Sequence, residues 1–239
     1  MRWRRLAVCA ALLPVAGCQP GDPEYPSFRY RLTVEVQTPE GTRSGSSVIE
    51  VNTYRQGPLP KGGAIRRASG AAVAVDLGSR GKLFVLLSSR NDYEWAESIM
   101  ARVAAEQLPY SFKDPDHWIP APARPVTIPR TLPATLKNSE PMSGYPYMVR
   151  FKDAGDWGSM QFVDPDDLAA SFGKGVRLLR ITAQLTGDPV TRDSVAALPR
   201  PYDLLTDKDR ADLRDAARNR PIALIRPNYF YRWLKDESR

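Results

Sequence analysis

A strict alternation of apolar and polar residues near the N-terminus constrains this chain more than any other pattern. Within residues 28–38 (FRYRLTVEVQT) every second side chain is apolar, so an extended strand here has one buried face and one polar face. Pro39, Glu40 and Gly41 have the composition of a tight turn, and residues 46–54 read as a second strand. The pattern therefore predicts an antiparallel hairpin whose two strands are neighbours in a sheet.

Other segments of the chain read as strands on the same grounds. Residues 71–77 and 82–88 are nearly continuous apolar runs on either side of the turn at 78–81, which is typical of strands buried on both faces. Residues 57–70, in contrast, are predicted to form a loop. The remaining predicted strands are residues 147–152, 159–163 and 176–185, with a further short strand around residues 126–128.

One helix is expected to cover the sheet. Trp95, Ile99 and Val103 repeat at four-residue spacing within residues 93–108. The 22 prolines among 239 residues argue against a bundle of long helices. We therefore predict an α+β fold, with a mainly antiparallel β-sheet built from hairpins, one covering helix and short peripheral helices. Residues 28–239 are expected to form a single domain, in which the Pro-rich irregular segment 109–146 is either a lid or a belt.

Residues 1–17 have the features of a lipoprotein signal peptide. Three arginines precede an apolar run of eleven residues, which is too short to span a bilayer. The following Val15-Ala16-Gly17-Cys18 resembles the bacterial lipobox, in which cleavage falls before the cysteine and its sulfur receives a diacylglycerol. The resemblance implies lipidation of Cys18, with residues 18–27 forming the lipidated cysteine and a flexible tether. The alternative is an ordinary secretory signal followed by an incidental cysteine.

Cleavage before Cys18 changes the net charge and the cysteine content of the mature chain. It removes three arginines and Cys9, which leaves 31 basic and 27 acidic residues, a net charge of +4. Such a small excess on an exported chain argues against a nucleic-acid partner, and a lipidated Cys18 excludes a cysteine nucleophile. In the lipoproteins that this segment resembles, Asp after the cysteine favours retention in the inner membrane. Gln19 therefore implies an outer-membrane lipoprotein that faces the periplasm.

Three longer runs resemble an uncharacterised alphaproteobacterial protein family that is common in sphingomonads. Among them are RYRLTVEVQTPEGTRSGSSVIEV and GAAVAVDLGSRGKLFVLL, which begin at Arg29 and Gly70. The third runs from Tyr145 to Thr191, and it departs from related chains at Trp157 and Gly158. The resemblance implies a single α+β domain and a lineage, and it carries over no catalytic residues.

Asp164, Asp166 and Asp167 are the most concentrated group of carboxylates. They are candidate oxygen ligands for calcium, but the spacing of an EF-hand loop is absent. As a helix start they are better explained: Asp164 is the expected N-cap, Pro165 the first helical residue and Gly173 the end of the helix. We therefore predict no metal site here.

A catalytic site is harder to find. His117, the one histidine, lies between Asp114, Asp116 and Trp118, so it is either a general base oriented by a carboxylate or a packing residue. No G-x-S-x-G elbow is present, and the glycines at 62–63 and 78–81 lack the spacing of a phosphate-binding loop. We assign no catalytic residue, cofactor or metal.

Two further features bear on binding. The arginines are scattered, which is typical of a solvated face, although they also suit anionic lipid or polysaccharide; the ones considered are Arg66, Arg67, Arg150, Arg177 and Arg180. The aromatic stretch at 228–234 (NYFYRWL) follows a charged helix predicted at 206–219. It is interpreted either as a final element docked into the core or as a contact patch for a partner.

The favoured function is that of a non-catalytic, periplasm-facing binding or scaffold lipoprotein, anchored to the outer membrane through Cys18. Its expected partners are the membrane, through the lipid, and an envelope protein or glycan. The alternative is a cell-envelope hydrolase that uses carboxylates or a Ser/His117 pair, because two well-placed carboxylates suffice for glycoside hydrolysis.

Overall fold

The computed structural model describes residues 25–55, 64–104, 124–133, 141–156, 159–193 and 231–232. This part of the chain is mostly antiparallel β-sheet with few helices, which confirms the predicted α+β class. The elements in chain order are β1 Tyr25–Thr38, β2 Gly41–Arg55, β3 Ala64–Ala71, β4 Val73–Asp76, β5 Lys82–Val85, α1 Trp95–Val103, β6 Val126–Thr127, β7 Thr131–Leu132, β8 Met142–Ser143, β9 Met148–Phe151, β10 Met160–Phe162, α2 Leu168–Phe172, β11 Arg177–Leu185 and β12 Tyr231–Arg232.

The larger sheet has six strands in the order β12-β3-β2-β1-β11-β6. The predicted hairpin is confirmed, because β1 and β2 pair antiparallel from Thr38 opposite Gly41 to Phe28 opposite Val51. Along β1 the predicted alternation holds residue by residue. The apolar side chains that face the core are all at most 5% exposed: Phe28, Tyr30, Leu32, Val34 and Val36.

A second sheet of four strands has the order β10-β9-β5-β4, and β7 and β8 form a separate pair. The expected single sheet is therefore wrong. The chain leaves the first sheet at Ala71 and enters the second at Val73, with Gly70 at a φ of +149° beside this corner and the Ser47 hydroxyl donating to the Ala71 carbonyl at 2.6 Å. The sequence prediction missed the corner because the apolar run continues through it without interruption.

Two strand predictions need correction around this corner. Residues 64–70, predicted as part of a loop, belong to β3, which pairs with β2 from Ala64 to Ser69. The apolar residues of β3 are alanines and one isoleucine, and they lie among glycine, serine and arginine. The alternation of apolar and polar residues is therefore too weak to predict a strand. In addition, β4 lies at the edge of its sheet while β5 is internal. β4 is nonetheless half-covered, because its backbone at Ala74 packs directly against Gly45 of β2.

The helix predicted at 93–108 is confirmed over the residues of α1; Tyr93 and Glu94 form a turn before it, Ala104 follows its last residue, and residues 105–108 lie outside the described part. Trp95, Ile99 and Met100 are fully buried, and Val103 packs on the same core while partly exposed. Two hydrogen bonds fix the helix to the sheet and to the segment after β8. The Tyr30 hydroxyl donates to the Ala96 carbonyl at 2.7 Å, and the Trp95 indole N–H donates to the Gly144 carbonyl at 3.0 Å. Burial raises the pKa of Tyr30, so its hydroxyl keeps the proton that it donates.

The Pro-rich segment contains short strands where the structure describes it. The strand predicted around 126–128 is confirmed as β6, which pairs with Thr182 and Ala183 of β11. β7 and β8 were not predicted, because two-residue strands carry no periodicity. The choice between a lid and a belt rests on residues 109–123 and 134–140, which lie outside the described residues.

After β11 the chain crosses the polar face of the larger sheet. The Thr186 amide donates to the Arg29 carbonyl at 3.0 Å, Asp188 pairs with Arg31, and the Thr191 amide donates to the Val48 carbonyl at 3.0 Å. This crossing lies at the end of the sheet where β1 begins, and it buries Val48 although that side chain faces outward.

Candidate functional site

Three turns meet at the end of the molecule opposite to the start of β1. They are residues 39–41 between β1 and β2, 78–81 between β4 and β5, and 173–175 between α2 and β11; together we name them the turn cluster. Each contains glycine at a φ that other residues rarely adopt. Five of the six positive-φ glycines in the described chain lie here: Gly41, Gly78, Gly81, Gly173 and Gly175.

Arg80 holds the three turns together. Its guanidinium Nη2 donates to Glu40 Oε1 at 2.8 Å, and its Nη1 donates to the carbonyl of Phe172 at 3.1 Å. Phe172 is the last residue of α2, so Arg80 satisfies one of the carbonyls that a helix C-terminus leaves without an intrahelical partner. A Cβ added to Gly175 would lie 3.0 Å from Pro39 Cγ, so the first and third turns are also in close contact.

The charge of Glu40 is maintained by this contact. The hydrogen bond from Arg80, followed by one with Thr38, lowers the pKa of Glu40 from 4.5 to about 2. Because the folded-state pKa is lowered, the stabilisation from this pair is complete above the ordinary pKa of Glu. It is lost as the pH falls toward 2. At neutral pH Glu40 is therefore ionised and paired with Arg80.

Several cations at the turn cluster have no such partner. Arg43, Lys174 and Arg177 are exposed, and among the described residues none of the three forms an ion pair. Lys82 lies directly opposite Asp76 across the β4–β5 hairpin, so its charge has a neighbour of opposite sign. The unpaired cations give this end of the molecule a capacity to bind anions.

The aspartates predicted at a helix start do lie at one, but in different roles. Asp164 is not the N-cap: its carboxylate accepts the Asp166 amide at 2.9 Å in a turn that precedes the helix. Asp167 is the cap and accepts the Ala170 amide at 3.1 Å. The misassignment has a clear origin, since Asp followed by Pro is also the preferred start of a β-turn. The predicted end at Gly173 is confirmed.

Asp166 is paired with a cation. Arg130 donates from Nε at 3.0 Å and from Nη2 at 2.8 Å to the two carboxylate oxygens, and this lowers the pKa of Asp166. The three aspartates thus have separate structural contacts. Within the residues that the structure describes, no group of three or more His, Cys, Asp or Glu side chains is arranged to hold a metal ion.

Replacing Asp167 by alanine is expected to lower the free energy of unfolding by about 1 kcal/mol, because the Ala170 amide loses its acceptor. Asp167→Asn should be nearly silent, since asparagine caps as well as aspartate. Urea unfolding of both variants beside Asp164→Asn measures this. An equal loss in Asp167→Asn would mean that charge, rather than capping, is the contribution of Asp167.

The arginines singled out in the sequence differ in role. Arg150 lies over the Phe172 ring with its guanidinium carbon 5.0 Å from the ring centre, and it donates to the Ser171 carbonyl at the end of α2. Arg180 pairs with Glu35 across β11 and β1 at 2.8 Å. Arg177 begins β11 beside the turn cluster, whereas Arg66 and Arg67 are on β3 at the other end of the sheet.

Other predicted features fall largely outside the described residues. Cys18, His117 and the predicted helix at 206–219 lie outside the described residues. So does the tail at 228–234, except for Tyr231 and Arg232. Tyr231 and Arg232 form β12 and pair with Ala71 and Gly70, so this part of the tail is a docked strand. The glycines of the turn at 78–81 and Arg177 stand out in the sequence, whereas Arg43, Lys174 and the link through Arg80 do not. The sequence signal that could have identified these residues is a basic residue close to a turn glycine.

In the described residues, no helix combines the length and the apolarity needed to cross a bilayer. No protein-family model matches the chain, and neither the curated proteins nor the solved structures contain a significant match.

Proposed function

We propose that this chain is a bacterial lipoprotein, anchored by lipid on Cys18 to the outer membrane, with a non-catalytic binding or scaffold domain facing the periplasm. The observation that carries the proposal is the N-terminal sequence, in which basic residues, a short apolar run and Val15-Ala16-Gly17-Cys18 follow one another without interruption. Several acyl chains, at about 0.8 kcal/mol per buried methylene, hold such a protein on a membrane essentially permanently.

The start of the described domain supports an anchored arrangement. Residues 25–27, predicted as part of the tether, belong to β1, so only residues 19–24 separate Cys18 from the domain, and these contain two prolines and a glycine. A composition of this kind suits a short spacer between lipid and domain. We propose the outer membrane as the destination because the residue after the cysteine is Gln19 and not Asp. We also propose that the chain belongs to the sphingomonad-type family, on the basis of the three runs that begin at Arg29, Gly70 and Tyr145.

A binding or scaffold role, rather than catalysis, is supported by how the charged side chains are used. Asp167 caps α2, Asp166 pairs with Arg130, and Arg150 covers the end of the same helix. These groups stabilise turns and helix ends. The exposed cations of the turn cluster remain available for a partner, and this capacity for anion contact is the binding chemistry that we assign to the domain.

The test is membrane association of Cys18→Ser against Cys9→Ser, the matched removal of the other cysteine. We expect Cys18→Ser to remain as an unprocessed precursor or to appear in the soluble fraction, because the thioether is the proposed membrane link. Cys9 lies in the segment that is cleaved off, so Cys9→Ser should fractionate with membranes like the unmodified protein. Immunoblots of separated inner-membrane, outer-membrane and soluble fractions measure both variants.

The proposal is wrong if Cys18→Ser is processed normally and stays in the outer-membrane fraction. It is also contradicted if Cys9→Ser leaves the membrane fraction as Cys18→Ser does, because the membrane link would then not be specific to Cys18.

A further inference from the structure

We propose that the turn cluster is a docking surface for the carboxylate-bearing polymer of the bacterial cell wall, with Arg43, Lys174 and Arg177 as its cationic contacts. The identity of this partner rests on the proposed envelope location. The surface itself rests on the described residues: three turns held by Arg80 and bordered by exposed cations without an ion pair among those residues.

The position of the cluster points away from the anchor. The tether enters at Tyr25, while the turn at 39–41 lies at the opposite end of β1, 14 residues along. At about 3.3 Å per residue this strand is roughly 40 Å long. The residues between Cys18 and Tyr25 reach at most about 25 Å from the membrane. With β1 standing along the membrane normal, the turn cluster lies at the end of the domain farther from its own membrane, in the space where the wall polymer lies.

The charge differs between the two ends of the larger sheet in the way that docking requires. At the end where β1 begins, Arg29 pairs with Glu50 at 2.7 Å and Arg31 pairs with Asp188. At the turn cluster Arg80 pairs with Glu40 and Lys82 lies opposite Asp76, but three exposed cations have no ion pair among the described residues, against Arg67 at the other end. The exposed cations of the turn cluster are complementary to a polymer whose peptide stems carry free carboxylates.

The spacing of the cations suits a polymer better than one small anion. Arg43 on β2 and Arg177 on β11 lie on either side of β1, opposite Val36 and Gln37 respectively. Their backbones are two strand spacings apart, about 10 Å, and neighbouring positions on β1 face opposite sides of the sheet. Arg43 and Arg177 therefore lie on opposite faces of the sheet, and a partner that contacts both must pass over the end of the sheet. An extended polymer can do this, whereas one small anion cannot.

Glycines form part of the surface between the cations, so this surface projects little into the solvent. A Cβ added at Gly41, Gly78 or Gly81 would meet nothing within 4 Å, so these three glycines border open space. Their positive φ values make glycine the preferred residue at each. An extended partner can therefore approach the backbone closely while Lys174 and the two arginines contact its charges.

The experiment is co-sedimentation of the full chain with purified cell-wall sacculi. The protein is purified in neutral detergent from whichever fraction contains it, so the assay does not depend on lipidation. We expect the unmodified chain to sediment with sacculi at low salt and to be released at about 0.5 M salt, where exposed charges are screened. Arg43→Gln/Lys174→Gln/Arg177→Gln should reduce the bound fraction about fivefold or more, because three charge contacts are lost together.

Two control variants separate charge from fold. Arg67→Gln removes an exposed arginine at the other end of the sheet and should leave binding unchanged. Arg43→Lys/Arg177→Lys keeps both charges and should retain most of the binding. All variants should have the melting temperature of the unmodified chain, because the replaced side chains are exposed.

The proposal is overturned if the unmodified chain does not sediment with sacculi, or if the triple variant binds as well as the unmodified chain. A triple variant that loses more binding to vesicles of phosphatidylglycerol and phosphatidylcholine than to sacculi would also overturn it, in favour of a lipid surface, because any lipid anchor is common to the variant and the unmodified chain. None of these results bears on acylation of Cys18, which the fractionation of Cys18→Ser tests separately.

Discussion

Replacing Trp95 by alanine is expected to lower the free energy of unfolding by about 3–5 kcal/mol. Trp95 is 1% exposed and begins α1, the helix that covers the sheets. Its indole N–H also donates to the Gly144 carbonyl at 3.0 Å, which ties the segment after β8 to the helix. The substitution removes a large buried ring and leaves that carbonyl without its donor. For a domain of this size the melting temperature should fall by about 10 °C or more.

Two aromatic variants serve as controls for this result. Trp95→Phe keeps a ring but removes the indole donor, so its loss should be smaller, about 1–3 kcal/mol. Tyr93→Ala truncates an aromatic residue that is 66% exposed and should change stability by less than about 0.5 kcal/mol. Chemical unfolding followed by far-ultraviolet circular dichroism compares all three variants, because this signal does not rely on the fluorescence of Trp95. Equal stability of Trp95→Ala and Tyr93→Ala would mean that α1 does not pack as described.

The second large effect is expected for Gly45→Ala. A Cβ on Gly45 would lie 2.1 Å from the Ala74 carbonyl oxygen and 2.8 Å from its carbon. The obstacle is the backbone of β4, so the two sheets must separate locally to admit one methyl group. Overpacking of a core usually costs about 1–3 kcal/mol, and a clash with backbone belongs at or above the upper end of that range.

Gly187→Ala is the matched control, because a Cβ there meets nothing within 4 Å and the backbone does not need a positive φ. It should leave the melting temperature unchanged or slightly higher, since alanine restricts the unfolded chain. If Gly45→Ala is as stable as Gly187→Ala, the close approach of β2 and β4 is wrong, and with it the packing of the two sheets.

Local patterns predicted the local parts of this fold. The alternation in residues 28–38 defined β1 and its buried face, and the four-residue spacing of Trp95, Ile99 and Val103 defined α1. Such patterns succeed because each depends on only a few residues whose burial repeats at the period of the element.

The missed features depend on contacts between distant residues. The corner between β3 and β4 involves Ser47, which lies 24 residues before its partner Ala71. Arg80 joins Glu40 and Phe172, which are 40 and 92 residues away from it along the chain. No periodicity records such contacts. For the same reason, the exposed cations of the turn cluster appeared scattered in the sequence, although the fold gathers them at one end.

The capping error has a different origin. Asp164 and Asp167 both carry the local signal of a helix start, and both accept a backbone amide. The sequence identified the right kind of hydrogen bond but not which aspartate begins the helix. This type of ambiguity is expected where a β-turn leads directly into a short helix.

The central claim is that lipid on Cys18 anchors this domain. The most direct test is mass spectrometry of the N-terminal peptide of the mature protein, isolated from the membrane fraction. The account predicts that this peptide begins at Cys18 and carries the added mass of a diacylglycerol on sulfur and an acyl group on the new amine. A mature N-terminus at another residue, or a Cys18 peptide without acyl mass, would contradict the account.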